Sequence, residues 1–205
     1  MYDGIVHIFR RDDGSFGVEK IKEGIPDFLI STLRVDTENR LWFGTHNGIL
    51  GYLINGKVVK VFRKENGIPN VDIRSIDFDN QDIVYIGTAG EGAFSARFNA
   101  ANLAFSSIKT SRFYAKNIYL LQFDKQNNLW AGSEHGVEKF VFDAKRNVTD
   151  VLHFGKNEGF LGIETCQNSV VCDQLGTLWF GTLNGLTRHL PANDAQKASC
   201  VNAFL

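Results

Sequence analysis

The chain has 205 residues, 12% of them aromatic, with 20 glycines and only three prolines. That is length enough for a sizeable core in a single domain, and the aromatic and glycine content suits tightly turned β-structure over helices. With 22 Lys+Arg against 23 Asp+Glu and no basic cluster, nucleic acid is excluded as the main partner. No apolar run reaches the length of a membrane span, so no membrane contact is expected within this chain. Met1-Tyr2-Asp3-Gly4 has neither the basic nor the apolar stretch of a signal peptide, so an export signal or anchor is expected outside these residues. The three cysteines, Cys166, Cys172 and Cys200, have no CxxC spacing and decide neither metal binding nor redox compartment.

In chain order, Gly4 to Phe9 aligns with the later segment Gly48 to Leu53, so the chain is read as beginning in mid-repeat. Phe16 to Ile21 is the last strand of that partial unit, and Glu23-Gly24-Ile25-Pro26 leads into a whole one. Strands are predicted at Leu29–Val35, Leu41–Thr45, Ile49–Ile54 and Lys57–Phe62, with Asn55-Gly56 as a two-residue hairpin turn. The next unit opens with Asn66-Gly67-Ile68-Pro69 and supplies Ile73–Phe78, Ile83–Thr88, Ala93–Phe98 and Ala104–Lys109. The third has Ser111-Arg112-Phe113-Tyr114 at its opening, then Ile118–Phe123, Leu129–Ser133, Val137–Phe142 and Val148–Phe154. A fourth, opened by Glu158-Gly159-Phe160-Leu161, contributes Ser169–Asp173, Leu178–Thr182 and Leu186–His189. Beyond Leu190 the pattern fades: Pro191 to Lys197 reads as a polar linker, and Ala198 to Leu205 as a last strand or the start of something truncated.

One motif organises these units. Leu41-Trp42-Phe43-Gly44-Thr45 returns as Val84-Tyr85-Ile86-Gly87-Thr88, Leu129-Trp130-Ala131-Gly132-Ser133 and Leu178-Trp179-Phe180-Gly181-Thr182. The aromatic positions 42, 85, 130 and 179 are 43, 45 and 49 residues apart. A period of that size in short strands marks a β-propeller blade. Six residues before each aromatic stands Asp36, Asp79, Asp124 or Asp173. Three after each aspartate stands Asn39, Asp82, Asn127 or Gly176, the types that tolerate a left-handed backbone. The fold class is therefore all-β: a propeller or partial propeller of about four blades of four antiparallel strands, within residues 1–190. The inventory is a half blade, three whole blades and most of a further one. The chain either closes a small ring of four blades or, the reading favoured here, is part of a longer propeller, because Leu186–His189 competes for the place of Ile5–Phe9.

The repeat, Asn-Gly-Ile-Pro followed by the aspartate turn and Leu-Trp-Phe-Gly-Thr-x-Asn-Gly-Ile, resembles the two-component regulator propeller repeats over roughly Gly4 to Leu190. Asn157-Glu158-Gly159-Phe160-Leu161-Gly162-Ile163-Glu164 looks like that family's lead into its last blade. The resemblance implies a periplasmic or extracytoplasmic sensor segment of a hybrid two-component system, non-enzymatic and without cofactor, with a homodimer or a larger propeller as its assembly. The sandwich domain, membrane helix and histidine kinase that follow in such proteins are not found in this sequence. Tyr85 in place of tryptophan and the missing Gly-Ile-Pro of the third unit depart from the pattern.

Counting strand reversals places the loop between second and third strands on the same face as the inter-blade loops. That face is expected to carry His46, Asn47, Asn70, Glu91, Phe113, Tyr114, Glu134, His135, Phe160, Glu164 and Asn184, a mixture of hydrogen-bonding groups and rings suited to an oligosaccharide or small molecule. Each has a plainer reading: a loop histidine is often merely solvated, the three rings plug the gap between blades, and the glutamates solvate their loops. No histidine pair has metal-ligand spacing, so no metal is expected. The aspartate turns, repeated in every unit on the opposite face, are expected to be structural, and the four motif aromatics to be inter-blade core. Three functions follow: a sensor module, a lyase on a propeller scaffold using His46, Glu134 and His135, or a protein-interaction platform like the WD-repeat propellers.

Overall fold

The computed structural model describes residues 4–27, 29–99, 104–111 and 114–190. Phe28, Phe113, Cys200 and the expected linker and last strand after residue 190 lie outside the described residues. Seventeen strands, two short 3-10 turns and no α-helix make up the described elements. Among the described residues no helix is long and apolar enough to cross a membrane.

Residues up to Asn117 form one compact unit and those from Ile118 a second. In the first unit, β1 (Ile5–Arg10) and β2 (Phe16–Ile21) pair as a two-stranded half blade. Two four-stranded antiparallel sheets follow in simple meander order. The first is β3 (Ile30–Val35), β4 (Leu41–Thr45), β5 (Leu50–Ile54) and β6 (Lys57–Phe62); the second is β7 (Ile73–Phe78), β8 (Ile83–Thr88), β9 (Ala93–Asn99) and β10 (Ala104–Ser111). The second unit holds a four-stranded sheet of β11 (Leu120–Phe123), β12 (Leu129–Ser133), β13 (Gly136–Phe142) and β14 (Val148–Phe154). A three-stranded sheet of β15 (Thr165–Cys172), β16 (Leu178–Thr182) and β17 (Gly185–His189) completes it. The strands predicted from the sequence within the described residues are all present, with ends moved by a few residues. The largest change is β15, which begins at Thr165 and not Ser169, because a bulge between Thr165 and Val170 lengthens it. That bulge is held by Asn168, whose φ is 55° and whose N–H donates to the Tyr119 carbonyl at 3.0 Å.

The turn between first and second strands explains the repeated aspartate. Asp36 Oδ1 accepts the backbone N–H groups of Glu38 and Arg40 at 3.0 and 2.9 Å, and its Oδ2 accepts the indole N–H of Trp42 at 2.7 Å. Asp124 repeats this with Gln126, Asn128 and Trp130, the indole at 2.9 Å, and Asp173 with Leu175, Thr177 and Trp179, the indole at 3.0 Å. Asp79 accepts from Gln81 and Ile83 in the same way, and Tyr85 takes the indole's position. Asn39, Asp82, Asn127 and Gly176 have φ of 62°, 59°, 62° and 85°, the left-handed conformation that such a turn demands. At Asn55-Gly56 both φ values are positive, 49° and 76°, as a type I′ hairpin turn requires.

The motif rings then form the packing between sheets. Trp42 and Trp130 are fully buried and Tyr85 nearly so. Around Trp42 sit Tyr52 and Phe62 of its own sheet and Phe78, Phe98 and Phe105 of the next, with ring centroids 4.8 to 6.2 Å apart. Trp130 meets Phe154 of its own sheet and Phe180 and His189 of the following one. The motif glycine makes room for this approach: a Cβ on Gly44 would stand 2.5 Å from Ile73 Cγ2, and one on Gly132 2.6 Å from Thr165 Oγ1. Trp179 departs from the expectation of a fully buried core. It is only half-buried, with the Arg188 guanidinium 5.8 Å from its ring, because no following sheet covers it among the described residues.

Trp130→Ala is expected to destabilise the protein by about 3–5 kcal/mol on a denaturation curve, as for other buried large rings; a loss under about 1 kcal/mol would place the ring outside the core. The indole of Trp179, before the Thr177 and Leu175 amides, holds the Asp173 carboxyl below the usual aspartate range. A lowered native value means its stabilising effect is complete above about pH 4 and fades as the pH falls through that lowered value. Asp173→Asn should therefore flatten the acid limb of a Tm-against-pH profile, and an unchanged limb would contradict the assignment.

Candidate functional site

Hydrogen bonds between loops confirm that second-to-third-strand loops and inter-blade loops share a face. The N–H of His46 donates to the Leu29 carbonyl at 3.1 Å, that of Ala89 to Asp72 at 2.9 Å and that of Leu183 to Glu164 at 3.1 Å. The hydroxyl ending the motif closes each loop: Thr88 Oγ1 donates to the Gly92 carbonyl at 2.7 Å and Thr182 Oγ1 to Gly185 at 2.8 Å, while Thr45 Oγ1 accepts the Ile49 N–H at 3.2 Å.

In the first unit these loops form a continuous rim. Asn47 Nδ2 donates to Asp27 Oδ2 at 2.9 Å, and His46 Nδ1 lies 3.1 Å from Asp72 Oδ1. Arg74 Nε reaches the other oxygen of Asp72 at 3.4 Å. Asp72 and Arg74 are mostly buried, with side chains 20% and 23% exposed, whereas the His46 side chain is 46% exposed. One oxygen of the Asp72 carboxylate thus accepts from Arg74, while the other stands beside the solvent-facing His46 ring without a hydrogen bond to it. Gly48 lets the rim close: its φ is 72° and an added Cβ would stand 2.8 Å from the Val71 nitrogen. Asn70 and Glu91 are exposed beside this cluster, in loops 70–72 and 89–92. Gly90 and Gly92 both donate to the Lys116 carbonyl, linking the rim to the stretch that carries Tyr114, which is 77% exposed.

In the second unit Glu134 is half-buried and His135 exposed, with His135 Nε2 3.9 Å from Glu134 Oε1. Thr165 Oγ1 donates to the Ser133 carbonyl at 3.2 Å, joining this loop to the stretch containing Glu164, and Asn184 is exposed in the loop after β16.

Two of the sequence expectations change. Phe160 is not offered to a ligand: it is 5% exposed and packs edge-on against Phe180, 5.8 Å between centroids. It occupies the place of Ile25 and Ile68, the buried residues that follow the equivalent glycines Gly24 and Gly67. Tyr114 plugs no gap, since its ring is exposed. Phe113 lies outside the described residues. Asp72 and Arg74 were missed by the sequence reading; the available signal was an acidic residue shortly after each Gly-Ile-Pro, at Asp27 and Asp72. Among the described residues no group of three or more His, Cys, Asp or Glu is arranged to hold a metal ion.

No protein-family model matches the sequence, and no curated protein matches it. Solved structures do. The extracellular domain of a hybrid two-component system of B. thetaiotaomicron superposes with a TM-score of 0.68 at 18% identity, covering 93% of this chain and 28% of its own length. The extracellular domain of a one-component system of the same organism gives 0.60 at 21%, covering 86% and 23%. The fold is a β-propeller. At these identities the likeness establishes that and nothing finer, and the chain spans about a quarter of the sensor domains it matches. A propeller enzyme, the virginiamycin B lyase of Staphylococcus aureus, also matches, with a TM-score of 0.59 at 16% identity over 93% of this chain and 64% of its own.

The propeller rim depends on Gly48 for its close loop contact. Gly48→Ala is expected to cost about 1–3 kcal/mol of stability through its positive φ and the Val71 backbone, measured by chemical denaturation.

Proposed function

We propose that this chain is a non-enzymatic, ligand-reading propeller segment of an extracytoplasmic two-component sensor, with an oligosaccharide as its ligand. The observation that carries the reading is the first unit's rim, where Asp72 holds Arg74 and lies 3.1 Å from the exposed His46 ring, and Asp27 holds Asn47. Fixed donors and acceptors beside an exposed tyrosine suit a polyhydroxylated ligand, which needs directional hydrogen bonds and an apolar ring face together. The likeness to sensor ectodomains supports the sensing role, and the differing residues on successive loops suit a ligand without symmetry. Glu91, Asn70 and Tyr114 extend the same surface; Glu134, His135, Glu164 and Asn184 line the corresponding loops of the second unit. Binding would act by shifting the population of two arrangements of the longer receptor, without chemistry on the ligand.

Isothermal titration calorimetry of the protein against a panel of neutral and acidic oligosaccharides tests this. The expected result is binding to at least one glycan, weakened about 10–100-fold by Asp72→Ala, the loss that follows when charge-assisted hydrogen bonds are removed. Absence of binding across the panel, combined with turnover of some substrate that His46→Ala or His135→Ala abolishes, would replace the sensor by the lyase reading.

A further inference from the structure

In the first unit the rings of Trp42, Phe62 and Phe98 stand together, their centroids 5.0 to 6.2 Å apart. Phe105 of β10 closes that trio, meeting Phe62 at 4.6 Å, Phe98 at 5.4 Å and Trp42 at 6.1 Å. The second unit rebuilds the trio from corresponding strands: Trp130 of the motif strand β12, Phe154 of the fourth strand β14 and His189 of the third strand β17. These centroids are 4.6 to 5.3 Å apart. Where Phe105 stands in the first unit, the second has a cavity of about 190 Å³ that all three rings line.

The walls of this cavity are formed before any ligand arrives. Phe154 is paired in its sheet with Val137, and Thr187 with Phe180, and all four line the space. Phe160 backs Phe180 edge-on at 5.8 Å. Polar groups are few: the Thr187 hydroxyl, the His189 ring, Arg188, and Glu158, whose Oε2 accepts the Gly155 N–H at 2.9 Å. One carboxylate and one guanidinium balance each other, so the lining favours neither an anion nor a cation. An apolar cavity of about 150 Å³ suffices to take benzene, so the space admits a single six-membered ring with a small substituent. Ring-on-ring contacts add to area burial and favour an aromatic occupant over an aliphatic one of equal size.

We propose that this cavity is a binding site for a neutral monocyclic aromatic compound carrying one hydrogen-bonding substituent, a ligand of the size and chemistry of phenol. Its ring takes the place that Phe105 fills in the first unit, between Trp130, Phe154 and His189, and its substituent turns to the few polar groups of the lining. The site is separate from the loop rim and independent of what that rim binds.

Ligand-observed fluorine NMR of 4-fluorophenol, titrated with the full chain, tests the assignment. Saturable broadening is expected, with a dissociation constant on the order of 1 mM for so small a ligand. Thr187→Phe adds a ring inside the cavity and should weaken binding at least about tenfold, whereas Leu175→Phe adds the same ring at a position 91% exposed and should leave it unchanged. The saturated analogue 4-fluorocyclohexanol should bind about tenfold more weakly than 4-fluorophenol. Absence of saturable binding up to about 10 mM would overturn the proposal. So would equal binding by the parent and Thr187→Phe, which would put the ligand elsewhere, or equal binding of the saturated analogue, which would make the space a general apolar void. Should Thr187→Phe lose the native circular dichroism, Leu190→Phe is read by the same criteria.

Discussion

Everything in this fold hangs from a carboxylate that does two jobs in one turn. One oxygen of Asp36, Asp124 or Asp173 collects the backbone amides of the first hairpin, and the other takes the indole N–H six residues on. A tryptophan can be sealed completely between sheets only if its single polar atom has a partner, because a buried unsatisfied donor costs about 1–3 kcal/mol. The aspartate supplies that partner from the ring's own blade, so the tightest turn and the largest core residue are fixed together. Arg40 adds to this in the first full blade, its Nε 2.5 Å from Asp36 Oδ2 and its guanidinium 5.2 Å from the centre of the Phe98 ring.

With the packing settled by the aspartate turns at one end of each strand, the loops at the other end have a separate framework. There the framework is made almost wholly of backbone groups and the motif hydroxyl: Leu29, Asp72, Lys116 and Glu164 offer carbonyls, and Thr88 and Thr182 close their loops on glycine carbonyls. His46, Ala89 and Leu183 enter that framework through their backbone N–H groups, while their side chains differ from blade to blade above a strand that repeats.

Much of this was legible in the residues because it is local. The aspartate, the left-handed residue three places on, and the aromatic six places on all lie within one hairpin, so their spacing survives in every copy; Asn55-Gly56 is legible for the same reason. What escaped depends on partners distant in the chain. The start of β15 is set by the contact between Asn168 and Tyr119, and no pattern within residues 160–170 announces it. Asp72 finds His46 across 26 positions, a distance over which no periodicity speaks. Phe160 was misread for a different cause: an aromatic ring in a loop suggested a ligand, although its alignment with Ile25 and Ile68 marked it as core. Trp179 shares its motif with Trp42 and Trp130, but burial belongs to the neighbouring sheet and not to the motif itself.

The closure of the aspartate on its own tryptophan has a consequence for ancestry. Since no member of that bond comes from an adjacent blade, a gene segment encoding one hairpin can be duplicated in tandem and arrive already self-consistent. The second full blade shows the tolerance this allows: Tyr85 stands where the others have tryptophan, and Asp79 still closes the turn through Gln81 and Ile83. A chain of this architecture can thereby gain or shed copies without redesigning the joints.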